Sequence, residues 1–230
     1  MRYNGGVDRP TTNPLLLCAI LVTATVATYT GAWHGDFQFD DVHSILENPH
    51  IEHWQTFFGH LDHMVRPVLY ATFLVDWSLY GSNATGYHFL NLLLHLGSGL
   101  LVYRILSRAV TDKSSHLPFG AALVFLIHPI QSETVTYISG RASSLMAFFY
   151  LLALALYIKA TRFQRDSLPN RRYLFGALVS FALALGSKEP AMTFPFTLLL
   201  WDTVIGGGDR TELRKLFFSC HLPFWLVLLA

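Results

Sequence analysis

The chain has 230 residues, of which 52% are hydrophobic and only 13% charged, with a formal net charge of +1. A water-soluble domain carries about a quarter charged residues, so the composition excludes an ordinary soluble enzyme and specifies an all-α integral membrane protein. Two cysteines, Cys18 and Cys220, both inside apolar runs, exclude a disulfide framework.

In chain order, six apolar segments stand out: Pro14–Trp33, Tyr87–Leu106, Leu117–Ile127, Ser143–Ile158, Tyr173–Leu185 and Ala191–Ile205, with a seventh opening near Leu216. A span needs about 20 mostly apolar residues, so the third and fifth are short and lean on neighbours such as His128 and Ser187. The first could be a cleaved signal peptide with Arg2 and Arg9 as its basic region, but its length favours a retained anchor. The final stretch, LPFWLVLLA, breaks off in mid-run. Residues 1–230 therefore read as a single transmembrane domain truncated at its C-terminus.

Lys and Arg orient the chain. With the N-terminus inside, the inner loops hold Arg104, Arg108 and Lys113, then Lys159, Arg162, Arg165, Arg171 and Arg172, then Arg210, Arg214 and Lys215. The outer side keeps only Arg66, Arg141 and Lys188. This bias also places the apolar stretch 65–81 along or into the outer surface, because a crossing there would turn every later basic loop outward. Just before it, HIEHWQTFFGHL sets Ile51, Trp54, Phe57, Phe58 and Leu61 on one helical face, the pattern of an interfacial amphipathic helix. The first outer loop, about 35–86, is thus expected to carry two membrane-surface helices. The one sequon, Asn83-Ala84-Thr85, falls on the same side.

The remaining polar residues gather on that outer side: Asp40 and Asp41; Arg66; His88, Asn91 and His95; His128, Glu133 and Arg141; and Lys188 with Glu189. Ionisable groups at membrane depth need a partner or a task. One aspartate could cap a helix near Val42–Leu46, but capping does not account for both. His88 and Asn91 share a helical face as the better functional pair, with His95 a buried interhelical hydrogen bond. Arg141 with Glu133, and Lys188 with Glu189, could be structural ion pairs. No HExxH, Cys/His cluster, GxGxxG, Walker A or GxSxG pattern is present. No cofactor is required, no metal site is assigned, a divalent cation at Asp40/Asp41 stays open, and no nucleic-acid partner is expected.

The segments FDDVHSILENPHI, RPVLYATFLVDWSLYG, YHFLNLLLH, FLIHPIQSETVTYISGRASSL and LGSKEPAMTFPFTLLLWD resemble, in order and spacing over about residues 36–203, the membrane half of the TMTC O-mannosyltransferases. The resemblance implies a polytopic GT-C-like helical bundle with a catalytic aspartate early in the first outer loop. It also implies a polyprenyl- or dolichyl-phosphate-mannose donor and transfer to Ser or Thr of a protein acceptor. No helical repeats of about 34 residues follow, which sets the chain apart from that family's pattern.

The side-chain chemistry suits the same reaction. A carboxylate can take the acceptor hydroxyl's proton, and cations can hold the departing phosphate. Asp40 is expected to be the base and Asp41 to orient it; Arg66, Arg141 and Lys188 are the phosphate candidates. His88, Asn91, His128, Glu133 and Glu189 form the polar lining. Single displacement would invert the anomeric centre. The membrane would be that of the endoplasmic reticulum in a eukaryote or the inner membrane in a prokaryote. The rivals are a transporter or flippase of lipid-linked material, and a non-catalytic scaffold.

Overall fold

Each apolar run becomes a helix, and most of these helices start at Asn or Pro. In the computed structural model, residues 13–112, 115–161, 169–206 and 210–229 are described, and they are all-helical or irregular. Arg2, Arg9, Lys113, Arg162 and Arg165 lie outside them. Helix α1 (Pro14–Thr28) begins at Asn13, whose Oδ1 accepts the Leu15 N–H at 3.0 Å. Asn83 caps α4 (Ala84–Ala109) in the same way through the Thr85 N–H, so the sequon is a helix cap. Asn170 does so for α8 (Arg171–Leu185). Proline occupies the first turn of α3 (Pro67–Tyr80) and α5 (Leu117–Ile127), where its missing N–H costs nothing.

The outer loop is more broken than its amphipathic pattern suggests. The segment around Trp54 forms only a short helix, α2 (Trp54–Gly59), between two 3-10 turns. Ile51 and Phe57 are buried there while Trp54, Phe58 and Leu61 stay exposed. Helix α3 has 14 residues, about 21 Å at 1.5 Å per residue, too short to cross. It buries Leu69, Phe73, Leu74 and Asp76 against the bundle.

Helix α6 (Ser132–Thr136) leads to α7 (Arg141–Thr161); among the described residues, α7 and α4 are the two helices long and apolar enough to cross a membrane. They pack closely, because a Cβ at Gly97 would come within 2.7 Å of the Phe148 ring. Helix α8 returns along α7, and α9 (Phe194–Leu200) continues into a π-helical turn at Trp201–Ile205. The last helix runs through α10 (Arg210–Leu216), a π-helical turn at Phe217–His221 and α11 (Leu222–Leu229).

Two apolar cores stack along α7. One joins Tyr87, Leu94, Ile138 and Leu145 to the outer loop and α3. The other joins Ala153, Tyr157 and Ile158 to Phe181, Phe194 and Phe224. Basic residues cluster at this second end: Arg108 donates to the Ala155 carbonyl, and the Lys159 ammonium lies 4.1 Å from the Tyr173 ring centre. The polar loops occupy the first end.

Candidate functional site

At the first end, side chains from within residues 40–44, 66–73 and 133–143, with Lys188, line a polar cavity of about 340 Å³. Its charged lining is Asp40, Arg66, Glu133 and Lys188, with Tyr137, Ser139 and Ser143 between them. Four candidate residues from distant parts of the sequence thus meet in one place.

The two aspartates have different environments. Asp41 is 1% exposed. Its Oδ2 accepts the Gln38 N–H at 3.0 Å, and its Oδ1 accepts the Ser139 N–H at 2.7 Å and the Ser139 hydroxyl at 2.5 Å. It sits before the π-helical turn Val42–Leu46 but makes no side-chain cap to it, so the capping expectation is replaced by a tie to Ser139. Asp40 is exposed and lines the cavity, and its N–H donates to the Tyr137 hydroxyl at 3.1 Å. Phe39 has φ 46°, a left-handed conformation unusual for a bulky residue. Holding it there costs about 1–3 kcal/mol, and it turns Asp40 outward while Asp41 points in.

The cations also separate. Arg66 donates from Nε and Nη2 to the two Glu189 oxygens, each at 3.0 Å, a planar fork at the cavity wall. That bond to Arg66, more than any other contact, holds the Glu189 carboxyl below the ordinary carboxylate range. Lys188 donates to the Ser143 hydroxyl at 2.7 Å. The expected Lys188–Glu189 pairing is therefore not made, because these neighbours point apart.

Arg141 lies outside the cavity lining and is fully buried. It pairs with Asp76 at 2.5 Å, not with Glu133. Nε donates to Asn91 Oδ1 at 2.7 Å, Nη2 to the Tyr87 carbonyl at 2.8 Å, and Nη1 to the Thr72 hydroxyl at 3.3 Å. The Phe73 and Tyr87 rings flank the guanidinium. With four of its five N–H groups so committed and the side chain fully buried, it is not placed to meet a substrate phosphate in the cavity. Asn91 passes the restraint on: its Nδ2 donates to the Tyr137 carbonyl at 3.1 Å. Arg141 and Asn91 thus brace the turn that carries Tyr137 and Ser139, the residues touching Asp40 and Asp41. Gly140 completes that turn, where a Cβ would lie 2.5 Å from the Glu133 carbonyl oxygen.

His88 is also buried, its Nε2 against the Gly35 carbonyl at 3.1 Å, so it anchors the start of the outer loop and does not line the cavity. His95 bonds the Leu126 carbonyl at 2.9 Å, joining α4 to α5. His128 is exposed, and its Nδ1 accepts the Ile130 N–H at the start of a 3-10 turn. Among the described residues, no three His, Cys, Asp or Glu side chains are placed to hold a metal ion.

Several contributors escaped the sequence reading. Asp76 was detectable as a lone acid in the apolar run VDWSLY, which requires a partner at this depth. The roles of Tyr137, Ser139 and Ser143 depend on a tight turn that no local pattern announces. A second buried polar group lies at the other end of α7: the Tyr157 hydroxyl donates to Asp202 Oδ2 at 2.5 Å, and His221 Nε2 lies 2.8 Å from both. Asp202 and His221 each sit in a π-helical turn.

No protein-family model matches the chain. No solved structure matches it either. Among curated proteins, it is 32% identical over 221 residues to the human protein O-mannosyl-transferase TMTC4, covering 82% of this chain and 30% of that protein. It is 30% identical over 254 residues to Tmtc3 of Drosophila melanogaster, covering 94% and 26%. A protein O-mannosyl-transferase of Caenorhabditis elegans is 27% identical over 197 residues, covering 79% and 27%. The chain spans less than a third of the length of these relatives. Over most of its own length, then, the chain is a distant homologue of the TMTC protein O-mannosyl-transferases.

Proposed function

We propose that the chain forms the membrane-embedded catalytic part of a glycosyltransferase that moves mannose from a polyprenyl-phosphate donor to the hydroxyl of a protein Ser or Thr. The observation that carries this reading is the shared cavity: Asp40 exposes its carboxylate opposite Arg66 and Lys188, while Asp41 has both oxygens engaged. As the acceptor oxygen bonds the anomeric carbon, Asp40 takes its proton. The bond from that carbon to the phosphate oxygen breaks, and the phosphate leaves with the electron pair. Arg66, through the N–H groups that its fork to Glu189 leaves free, and Lys188, as a point charge, stabilise its growing charge. A single displacement of this kind inverts the anomeric centre.

Family-level homology to named O-mannosyl-transferases supports the reaction class. The two long apolar helices support a membrane location with the polar end facing the donor's headgroup. The test is sugar transfer by purified protein in lipid nanodiscs. Asp40→Asn should lower kcat by at least about a thousandfold, with the protein folded. Undiminished transfer by this variant would remove Asp40 as the base. A transporter reading draws on the buried Tyr157–Asp202–His221 group, which places ionisable side chains at the opposite end as well.

A further inference from the structure

Arg66 and Tyr70 form a wall between the Asp40 cavity and a second one of about 410 Å³, to which nothing in the transfer reaction gives a role. His50, His60 and His63 line it, with Glu189 on the Arg66 side. The rings of His50 and His60 lie face to face, 3.8 Å between centres and 3° between planes, and His63 stands 5.2 Å from His60. Among the described residues, the His50 and His60 ring nitrogens have neither hydrogen-bond nor ion-pair partners. Glu189 is engaged by Arg66, and Asp62 sits 3.6 Å from His63.

Two parallel imidazoles at this distance repel when both are protonated, and an oxyanion at their shared edge accepts from both and offsets the repulsion. The N–H groups of Arg66 not engaged by Glu189 add further donors at the same cavity. The segment that supplies these rings also carries exposed apolar side chains: Trp54 at 48%, Phe58 at 63%, Leu61 at 41% and Val65 at 76%. Aromatic and aliphatic residues interleaved with basic ones mark a segment lying in the headgroup layer.

We infer that this second cavity binds the phosphodiester oxyanion of an anionic lipid headgroup, with Trp54, Phe58, Leu61 and Val65 seated in the adjoining acyl layer. The imidazole N–H groups and the Arg66 guanidinium supply the donors, and Glu189 and Asp62 are the acids facing the rings. The site is independent of which sugar, if any, is transferred.

The test uses the whole chain with ring-labelled histidines in uncharged maltoside micelles, titrated with dimethyl phosphate, a singly charged diester. Saturable shifts of the His50 and His60 signals are expected. Transfer to nanodiscs containing phosphatidylglycerol should give the same shifts with no soluble diester, assigning the ligand to the membrane. Shifts from the soluble diester alone would retain the oxyanion site and overturn the lipid as its source. No shift beyond that of chloride at equal ionic strength would overturn the site itself, and this reading needs no variant to fold. His50→Gln with His60→Gln should abolish the shift remaining at His63.

Discussion

Ser139 directs both of its polar hydrogens onto a single oxygen of Asp41, the N–H at 2.7 Å and the hydroxyl at 2.5 Å from Oδ1. These residues are 98 positions apart in the chain. Their contact clamps the first outer loop to the turn before α7, and thereby sets where Asp40 emerges into the cavity.

Ser139→Ala removes the hydroxyl and keeps the N–H. A hydrogen bond to a buried charged acceptor is worth about 1.5–3 kcal/mol, so thermal stability should fall by a comparable amount. Because Asp40 loses its fixed position, kcat should fall about tenfold or more, a small displacement sufficing for that. A variant with lowered stability and unchanged kcat would show that the clamp does not position the base.

Arg141 and Asp76 form a buried pair in which desolvation opposes attraction. Burial pushes the Asp76 carboxyl above the ordinary carboxylate range, against the pull of the Arg141 guanidinium. A carboxyl raised by folding stabilises fully below its unfolded pKa, and that contribution is lost as pH rises through the folded value. Asp76→Asn should abolish this pH slope but leaves the buried Arg141 guanidinium without its counter-charge, a loss of about 3–5 kcal/mol. Arg141→Met leaves a carboxyl that can take up a proton and should cost less. Denaturation in detergent across acid to neutral pH measures both; equal losses from the two variants would contradict the account.

Glu189 fixes the orientation of Arg66 at the wall of the Asp40 cavity. Its carboxyl is held low by Arg66, so it stays ionised above the ordinary carboxylate range, and the pair is lost only as pH falls through the depressed value. Both partners are substantially exposed, at 37% and 51% for the side chains, so the pair adds little to stability. Glu189→Gln should instead raise the donor KM about threefold to tenfold and lower kcat as well, because Arg66 both meets the donor phosphate and stabilises its growing charge. An unchanged KM would remove Arg66 orientation from donor binding.

The helices were readable because their apolar runs stand out and most open at Asn or Pro, as at Asn13, Pro67, Asn83 and Asn170. The gathering of Asp40, Arg66, Glu133 and Lys188 followed from the charge bias that sent the other cations to the opposite end. The division of labour among the polar residues was not readable. Arg141, Asn91 and His88 look like their cavity-lining neighbours in sequence, and only the depth at which α4 and α7 pack commits them to backbone carbonyls and Asp76. Asp41 and Asp40 are adjacent and chemically identical; the left-handed turn at Phe39 separates them.

Tyr157, Asp202 and His221 give a means of separating folding from chemistry. They tie α7 to the π-helical turns following α9 and α10, and are 0%, 5% and 2% exposed. Tyr157 lies sixteen residues beyond Arg141 on one helix, about 24 Å from the cavity end at 1.5 Å per residue. No hydrogen-bonded route joins the two groups among the described contacts. Tyr157→Phe leaves Asp202 and His221 with one partner fewer, a loss of about 1–3 kcal/mol. Thermal stability should drop accordingly, while kcat for sugar transfer at a permissive temperature should stay within about twofold of the parent. A transport site predicts the reverse: stability near that of the parent, with loss of lipid-linked sugar movement across sealed vesicles. Measuring melting, transfer and vesicle sidedness on this one variant therefore decides whether the buried group holds the bundle together or carries a function of its own.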